Sequence, residues 1–259
     1  MIRALKDACQ QVFARTKGMA GTKEGSRQLG RGAGGDISRK IDLVAEKTAI
    51  SVLRKHGVDA TIIAEEAGRI EGKNGFVIID AIDGTTNATR RMPFYCCSIA
   101  FATDFKLSAV TDAAIIDLTT GDLYHAAKGK GAFLNGRRIA TASNDDLAVS
   151  MNISSVRPEI IERLSPVIMK AKHVRQFGSV ALEMCYLARG SLDAYIDFRG
   201  KVRPTDIAAA YLIVKEAGGR LNSKTGTELD SDLEIKTRLS FFAAANEEML
   251  GDLSDILIG

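Results

Sequence analysis

The chain has 259 residues, of which 46% are hydrophobic and 26% are charged. This length and apolar content can fill a sizeable core, which excludes a disordered or fibrous chain. The net charge of +3 is too small to indicate a polyanionic partner. Aromatic residues make up only 6% and tryptophan is absent, so nucleic-acid binding is not expected. The bulk numbers therefore predict a globular protein.

Cysteine usage and hydropathy predict the cellular compartment of the protein. The four cysteines form no CxxC pair, and the adjacent Cys96 and Cys97 cannot easily bridge each other. Reduced thiols in a cytoplasm are therefore the economical interpretation. No apolar run approaches the roughly 18 residues of a membrane span, and the first residues are amphipathic rather than a signal peptide. We expect a soluble, unprocessed cytoplasmic protein that does not bind membranes.

Two helices are predicted at the beginning of the chain, and a glycine-rich segment lies between them. Apolar residues recur at helical spacing from Ile2 to Phe13 and again from about Asp42 to Lys55. The segment between them, MAGTKEGSRQLGRGAGGD, is too rich in glycine to predict stable packing and also carries basic residues. We interpret it as a mobile flap, and a solvated loop without a role is the alternative.

The remaining elements change character near the middle of the chain. Short runs of β-forming residues predict a largely antiparallel first half, with strands at Thr61–Ala64, Phe76–Ile79, Cys96–Thr103, Leu107–Ile116 and Leu123–Ala126. From about residue 147 strands alternate with helices, which predicts a second α/β layer. We expect an α/β protein of the α+β type, with an N-terminal layer at 1–140 and a C-terminal layer at 141–259 that form one compact unit. The segment 140–146 is the predicted boundary.

The most informative motif is an apolar strand that ends in two carboxylates, in the sequence IIDAIDGTTN. Asp80 and Asp83 stand three residues apart where the strand breaks, and the Ile82 carbonyl between them is another oxygen donor. Oxygen ligands favour Mg²⁺ or Mn²⁺. Backbone amides of Gly84 and Thr85 follow at the expected first turn of a helix, where a phosphate oxygen is attracted. The alternative is that the two acids only cap a turn.

Two further acids lie beside apolar segments. Glu65 and Glu66 follow a short strand, and because adjacent residues at a strand end point to opposite sides, only Glu65 is expected to be a ligand. Asp206 precedes an apolar helix and is either a fourth ligand or only a helix cap. Carboxylates in one pocket repel one another unless divalent cations neutralise them. Two Mg²⁺ ions at such a site are suited to phosphomonoester hydrolysis.

The four segments IIAEEAG, IIDAIDGTTN, GKGAFLNGRRI and PTDIAAAYLIVKEAGG occur in this order along nearly the whole chain. Together they resemble the inositol monophosphatase superfamily. The resemblance implies a layered αβαβα sandwich, two or three Mg²⁺ ions per site with Mn²⁺ as a possible substitute, lithium sensitivity and a homodimer. It also implies metal ligands at Glu65, Asp80, Ile82, Asp83 and Asp206, a phosphate cradle at Gly84 and Thr85, and catalytic roles for Glu65 and for Asp42 paired with Thr85.

The substrate is less well defined than the reaction. Ala81 and Thr205 replace a proline and a tryptophan that are usual in the family. The segment DFRGKVRPTD is similar to archaeal-type bifunctional enzymes that hydrolyse fructose 1,6-bisphosphate and inositol monophosphate. The residues implied to contact substrate are Asp83, Gly178, Ser179, Val180, Asp197, Arg199, Lys201 and Arg203. The alternatives are a strict inositol monophosphatase, a phosphatase of NADP(H) or 3′-phosphoadenosine, or an RNA- or transcription-associated binding protein.

Overall fold

The computed structural model describes residues 1–258, which contain seven α-helices and fifteen β-strands. The helices are α1 (Ile2–Thr16), α2 (Lys40–Lys55), α3 (Thr85–Arg90), α4 (Pro158–Lys170), α5 (Val180–Ala188), α6 (Pro204–Ala217) and α7 (Glu247–Ile258). The strands are β1 (Gln28–Arg31), β2 (Ile37–Arg39), β3 (Thr61–Ala64), β4 (Gly68–Ile70), β5 (Phe76–Asp83), β6 (Cys96–Ala102), β7 (Val110–Asp117), β8 (Leu123–Ala127), β9 (Gly131–Leu134), β10 (Arg137–Ile139), β11 (Ala148–Met151), β12 (His173–Arg175), β13 (Ala194–Val202), β14 (Arg220–Ser223) and β15 (Leu239–Ala244).

The strands form two main sheets and one hairpin. The first sheet has eight strands in the order β10-β9-β8-β7-β6-β5-β3-β4, and only the β3/β5 pair is parallel. The second has five strands in the order β12-β11-β13-β15-β14, with parallel pairing among β12, β11 and β13. The predicted antiparallel first half is therefore confirmed. Strands β1 and β2 form a separate antiparallel hairpin.

The helices cover both faces of each sheet and produce five layers. Helices α1 and α2 share a buried apolar cluster with one face of the first sheet. Helices α5 and α6 lie in a second cluster between the two sheets, and α4 and α7 cover the outer face of the second sheet. In β5, Val77 and Ile79 face the first cluster whereas Ile78 faces the second, which explains why this strand is apolar throughout. The predicted αβαβα sandwich is confirmed.

The connection between the two sheets is held by a buried carboxylate. The segment predicted as the boundary joins β10 to β11. Asp193 is fully buried, and its side chain accepts hydrogen bonds from the backbone N–H and amide group of Asn144 (both 2.9 Å) and from the Ala148 N–H (2.7 Å). The segment is therefore tied down rather than a free linker. No helix among residues 1–258 has the length and apolarity needed to cross a membrane.

The predicted flap contains the β1/β2 hairpin, in which β1 is exposed and only the tip bonds to the rest of the fold. Its tip bonds to the turn after β3: the Ala33 N–H donates to the Glu66 carbonyl (3.1 Å), and the Gly34 N–H donates to the Glu65 carbonyl (2.8 Å). Glycine at position 34 permits the close approach, since a side chain there would meet Glu65 and Arg203 within about 3.3 Å. Composition alone did not reveal these long-range partners.

Candidate active site

Strand β5 ends in the two acids of the IIDAIDGTTN motif. The pairing of β5 with β6 shifts between Asp80 and Asp83, so the strand is irregular where the acids lie. Asp80 Oδ1 accepts the Ile82 N–H (3.1 Å). Asp83 Oδ2 accepts the Ser179 hydroxyl and the Ala181 N–H, each at 2.7 Å. Asp83 is therefore bound to the beginning of α5 through one oxygen, and Oδ1 remains available to another partner.

A tight turn follows and begins α3. Gly84 has φ of +96°, which favours glycine, and a side chain there would meet the Phe94 carbonyl and Tyr95. The Thr85 hydroxyl lies 3.1 Å from the Ile82 carbonyl and 3.3 Å from Asp42 Oδ1. Asp42 Oδ2 accepts the Arg39 N–H (2.7 Å) at the beginning of α2. The predicted pair of Asp42 with the motif threonine is thus present as a hydrogen bond.

Glu65 and Glu66, which were expected to point to opposite sides, both line one cavity. Strand β3 ends at Ala64, and the two acids lie in a turn where strand alternation no longer applies. Glu65 accepts from Arg203 Nη1 (2.6 Å), while Glu66 accepts from the Ser38 hydroxyl. Both line a cavity of about 450 Å³, together with Asp36, Ile37, Arg39, Asp42, Gly84, Thr85, Thr86, Thr89 and Gly178.

Asp206 lies in the first turn of α6 and also caps that helix. Its Oδ2 accepts the Arg203 N–H (2.8 Å), which satisfies one of the otherwise unpaired donors at the helix start. The Arg203 guanidinium then reaches back to Glu65, Asp36 and the Gly34 carbonyl. One arginine therefore joins β13, the turn after β3 and the hairpin tip.

Burial and mutual repulsion raise the pKa values of the clustered acids. Burial is the largest cause for Asp80, whose pKa lies well above its usual range, and Glu65, Asp83 and Asp206 raise it further. Burial and Asp206 raise the pKa of Asp83 to about 7, and burial and Glu65 raise that of Asp206 to about 7. Burial also raises the pKa of Asp42 to about 7. These groups resist ionisation because they carry like charges in a low-dielectric environment.

The donor set fits a hard divalent cation. Among residues 1–258, no Lys, Arg or His forms an ion pair with Asp80, Asp83 or Asp206, so their ionised forms need positive charge from elsewhere. Carboxylate and carbonyl oxygens are the ligands that Mg²⁺ prefers. No group of three or more His, Cys, Asp or Glu side chains in the described chain is already arranged around an ion position. Asp80, Asp83 and Asp206 instead accept hydrogen bonds from N–H and O–H groups of the protein.

The remaining predicted substrate residues fall into two groups. Gly178 lines the cavity, and the buried Ser179 and Val180 continue from it into α5. In contrast, Asp197 is fully buried and is bonded by the Arg199 guanidinium through three contacts of 2.6 to 3.0 Å. Lys201 is exposed on β13. Neither Asp197 nor the three basic residues of the segment 199–203 lie on the cavity wall.

Two buried glutamates that the sequence analysis missed hold the loops of the site. Glu46 on α2 accepts the N–H groups of Glu66 (2.9 Å) and Ala67 (2.8 Å). Glu183 on α5 accepts the N–H groups of Gly178 (2.8 Å) and Ser179 (3.3 Å) and the Ser150 hydroxyl. The available signal was an acid at an inward position of an apolar helix, because a buried carboxylate must have donors.

Comparison with known proteins identifies the family. The model of the inositol monophosphatase family matches residues 2–252. The fructose-1,6-bisphosphatase/inositol-1-monophosphatase of Methanothermobacter thermautotrophicus is 38% identical over 252 residues, which cover 93% of this chain and 90% of that protein. The bifunctional NADP phosphatase/NAD kinase of Methanococcus maripaludis is 32% identical and matches 96% of this chain but only 48% of its own length.

A solved structure gives the same result for the fold. The crystal structure of an inositol monophosphatase-fructose 1,6 bisphosphatase superimposes with a TM-score of 0.87 at 34% identity and covers 98% of both chains. Members of this family generally depend on Mg²⁺, and phosphorylated sugars and polyols fit them as substrates. With the fold, the acid cluster and these matches, the chain belongs to the inositol monophosphatase family and is a phosphatase.

Proposed function

We propose that this chain is an Mg²⁺-dependent phosphatase that hydrolyses fructose 1,6-bisphosphate and inositol monophosphate. The observation that carries the proposal is the acid cluster at the end of β5, next to the Gly84-Thr85 turn and a cavity of about 450 Å³. Buried acids without an ion-pair partner favour a divalent ion, and the backbone amides of a turn that begins a helix favour a phosphate oxygen. This arrangement supports a site in which metal ligands lie beside a phosphate cradle.

Within this proposal, the ligands of two or three Mg²⁺ ions, with Mn²⁺ as a substitute, are Glu65, Asp80, Asp83, Asp206 and the Ile82 carbonyl. When bound, the metal supplies positive charge that stabilises the phosphoryl oxygens and the departing alkoxide. Asp83 is fixed for this role because Ser179 and Ala181 hold its Oδ2, which leaves Oδ1 for an ion or for substrate. Glu65 accepts from Arg203 through Oε1, which leaves Oε2 for an ion.

Asp42 and Thr85 provide the proton pathway in this mechanism. The Thr85 hydroxyl lies 3.3 Å from Asp42 Oδ1, so it can donate to the carboxylate while its own oxygen accepts from a water molecule. Water adds to phosphorus, its proton passes through Thr85 to Asp42, and the P–O ester bond breaks. The alcohol oxygen takes a proton from solvent. A carboxyl group whose pKa burial raises to about 7 can hold the transferred proton near neutrality.

The substrate assignment is supported by the relatives, since the Methanothermobacter thermautotrophicus protein is named for both activities. The NADP phosphatase named for the Methanococcus maripaludis relative is the second candidate. One assay of phosphate release tests these assignments with fructose 1,6-bisphosphate, inositol 1-phosphate, NADP⁺ and adenosine 3′,5′-bisphosphate. We expect release from the first two with Mg²⁺ and none with excess chelator. Preference for NADP⁺ would replace the assignment, and activity in chelator would refute the metal mechanism.

The family resemblance also supports two finer proposals. We expect Li⁺ to inhibit the Mg²⁺-dependent reaction and the protein to form a homodimer. Rates measured with added Li⁺, and with equal Na⁺ as the control, test the first. Light scattering of the purified protein tests the second, and a mass near 27.8 kDa would indicate a monomer and contradict it.

A further inference from the structure

The wall of the cavity beside Asp80 and Asp83 includes one basic side chain that no sequence motif indicated. Arg39, at the end of β2, lines the cavity together with Thr86 and Thr89 of α3. We propose that Arg39, Thr86 and Thr89 form an anion subsite that binds a second phosphate of the substrate, remote from the reacting one. This inference rests on the proposed function, because the subsite is defined relative to the phosphate cradle at Gly84 and Thr85.

Two of the three basic residues that the sequence implied for substrate contact already neutralise carboxylates. The Arg199 guanidinium contacts both oxygens of the buried Asp197. Arg203 is ion-paired with Glu65 and Asp36 and also donates to the Gly34 carbonyl. A guanidinium engaged in this way offers few donors and little net charge to a second anion. Lys201, the third basic residue of the segment, is exposed and does not line the cavity. The segment 199–203 is therefore poorly suited to select a bisphosphate.

Arg39 differs because its charge is not compensated. Among residues 1–258, no carboxylate lies within ion-pair distance of its guanidinium, and its one side-chain hydrogen bond goes to the Ser26 carbonyl (3.3 Å). The Arg39 N–H donates to Asp42 Oδ2, which fixes the backbone position from which the Arg39 side chain extends. Planar guanidinium groups with free N–H donors are favoured partners of phosphate.

The threonines place this subsite beside the cradle. Thr86 directly follows Thr85 and is exposed, and Thr89 lies one helical turn further along the same face of α3. The cavity wall contains four acids, which are Asp36, Asp42, Glu65 and Glu66. They would repel a second phosphate unless a basic side chain of the protein faced it. Arg39 is the residue of the cavity wall that supplies this charge. The ligand class is accordingly a phosphomonoester with a second phosphate.

The test compares two substrates that differ only in that group, fructose 1,6-bisphosphate and fructose 1-phosphate, for the wild type and Arg39→Ala. We expect the ratio of kcat/KM for the bisphosphate to that for the monophosphate to fall about 10- to 100-fold, the usual effect of losing one charged hydrogen-bonded contact. Arg39→Lys should restore part of the ratio. Arg27→Ala, an exposed arginine of the same hairpin region that does not line the cavity, is the matched control and should leave the ratio unchanged.

Several outcomes would overturn the subsite. An unchanged ratio in Arg39→Ala, or an equal loss for both substrates, contradicts it. A ratio that falls in Arg199→Ala but not in Arg39→Ala assigns the second phosphate to the segment 199–203 instead. If the wild type hydrolyses neither ester, the proposed function fails separately, and calorimetric binding of the unconsumed bisphosphate decides the subsite. Weaker binding by Arg39→Ala supports it, whereas equal binding, or none by the wild type, refutes it.

Discussion

The Asp83 carboxylate joins the proposed metal site to the beginning of α5, so two replacements separate its chemical role from its structural one. Asp83→Asn keeps a side-chain oxygen that can accept from the Ser179 hydroxyl and the Ala181 N–H. It removes the negative charge and one ligand oxygen. We expect phosphatase activity to fall by at least about 100-fold while the fold is retained, since metal ligation is lost and packing is not.

The structure also gives the expected change in stability. Asp83→Ala leaves both buried donors without an acceptor, which costs about 1–3 kcal/mol for each and thus about 2–6 kcal/mol together. Asp83→Asn avoids this cost. Because burial and Asp206 raise the pKa of Asp83 to about 7, the acid destabilises the metal-free protein as pH rises through that value. Metal-free Asp83→Asn should therefore be at least as stable as the wild type at pH 8.

Two measurements check this reasoning. Urea denaturation of the chelated wild type and both variants at pH 8 gives the free energies of unfolding, and phosphate release with saturating Mg²⁺ gives kcat/KM. The order of stability should be Asn variant at or above wild type, with the Ala variant clearly lowest. Wild-type activity in Asp83→Asn would refute the ligand role. An Asn variant as unstable as the Ala variant would refute the hydrogen-bond argument.

Three further predictions concern metal, hairpin and α5. Asp42, Asp83 and Asp206, whose pKa values are raised to about 7, bind more protons when folded than when unfolded, so metal-free stability falls between about pH 4 and 7. The increase in Tm on adding Mg²⁺ should therefore be larger at pH 8 than at pH 5.5, and an equal increase would contradict this. Because β1 is exposed, residues 18–35 should exchange hydrogen quickly in the free protein and more slowly when Mg²⁺ and phosphate bind. Unchanged protection would contradict the mobile-flap interpretation. Glu183→Ala should raise KM and destabilise the fold by about 1–3 kcal/mol per unpaired donor, and Glu183→Gln should have a smaller effect. Wild-type KM and stability in both variants would show that Glu183 does not hold the loop at Gly178 and Ser179.

Local sequence patterns were sufficient to predict several secondary-structure elements and the acids at the end of β5. The run from Val77 to Asp83 is apolar because both faces of β5 are covered, and its acids are recognisable because they interrupt that run. Helix α1 begins at Ile2 and α2 ends at Lys55, as the helical spacing predicted. In contrast, the short strands β4, β9, β10 and β14 were not predicted, since three or four residues carry too little periodicity to distinguish a strand from a turn.

The sequence by itself determined the layered fold, the acids at the end of β5 and the family. Only the tertiary structure decided which charges are already paired. Arg203 and Glu65 are 138 positions apart, and Asp83 and Ser179 are 96 apart, so no local spacing reports their contacts. Arg199 and Arg39 look alike in sequence, yet one is neutralised by a buried aspartate and the other is not. Periodicity records which face of an element is buried, whereas the partner of each polar group depends on how distant layers pack.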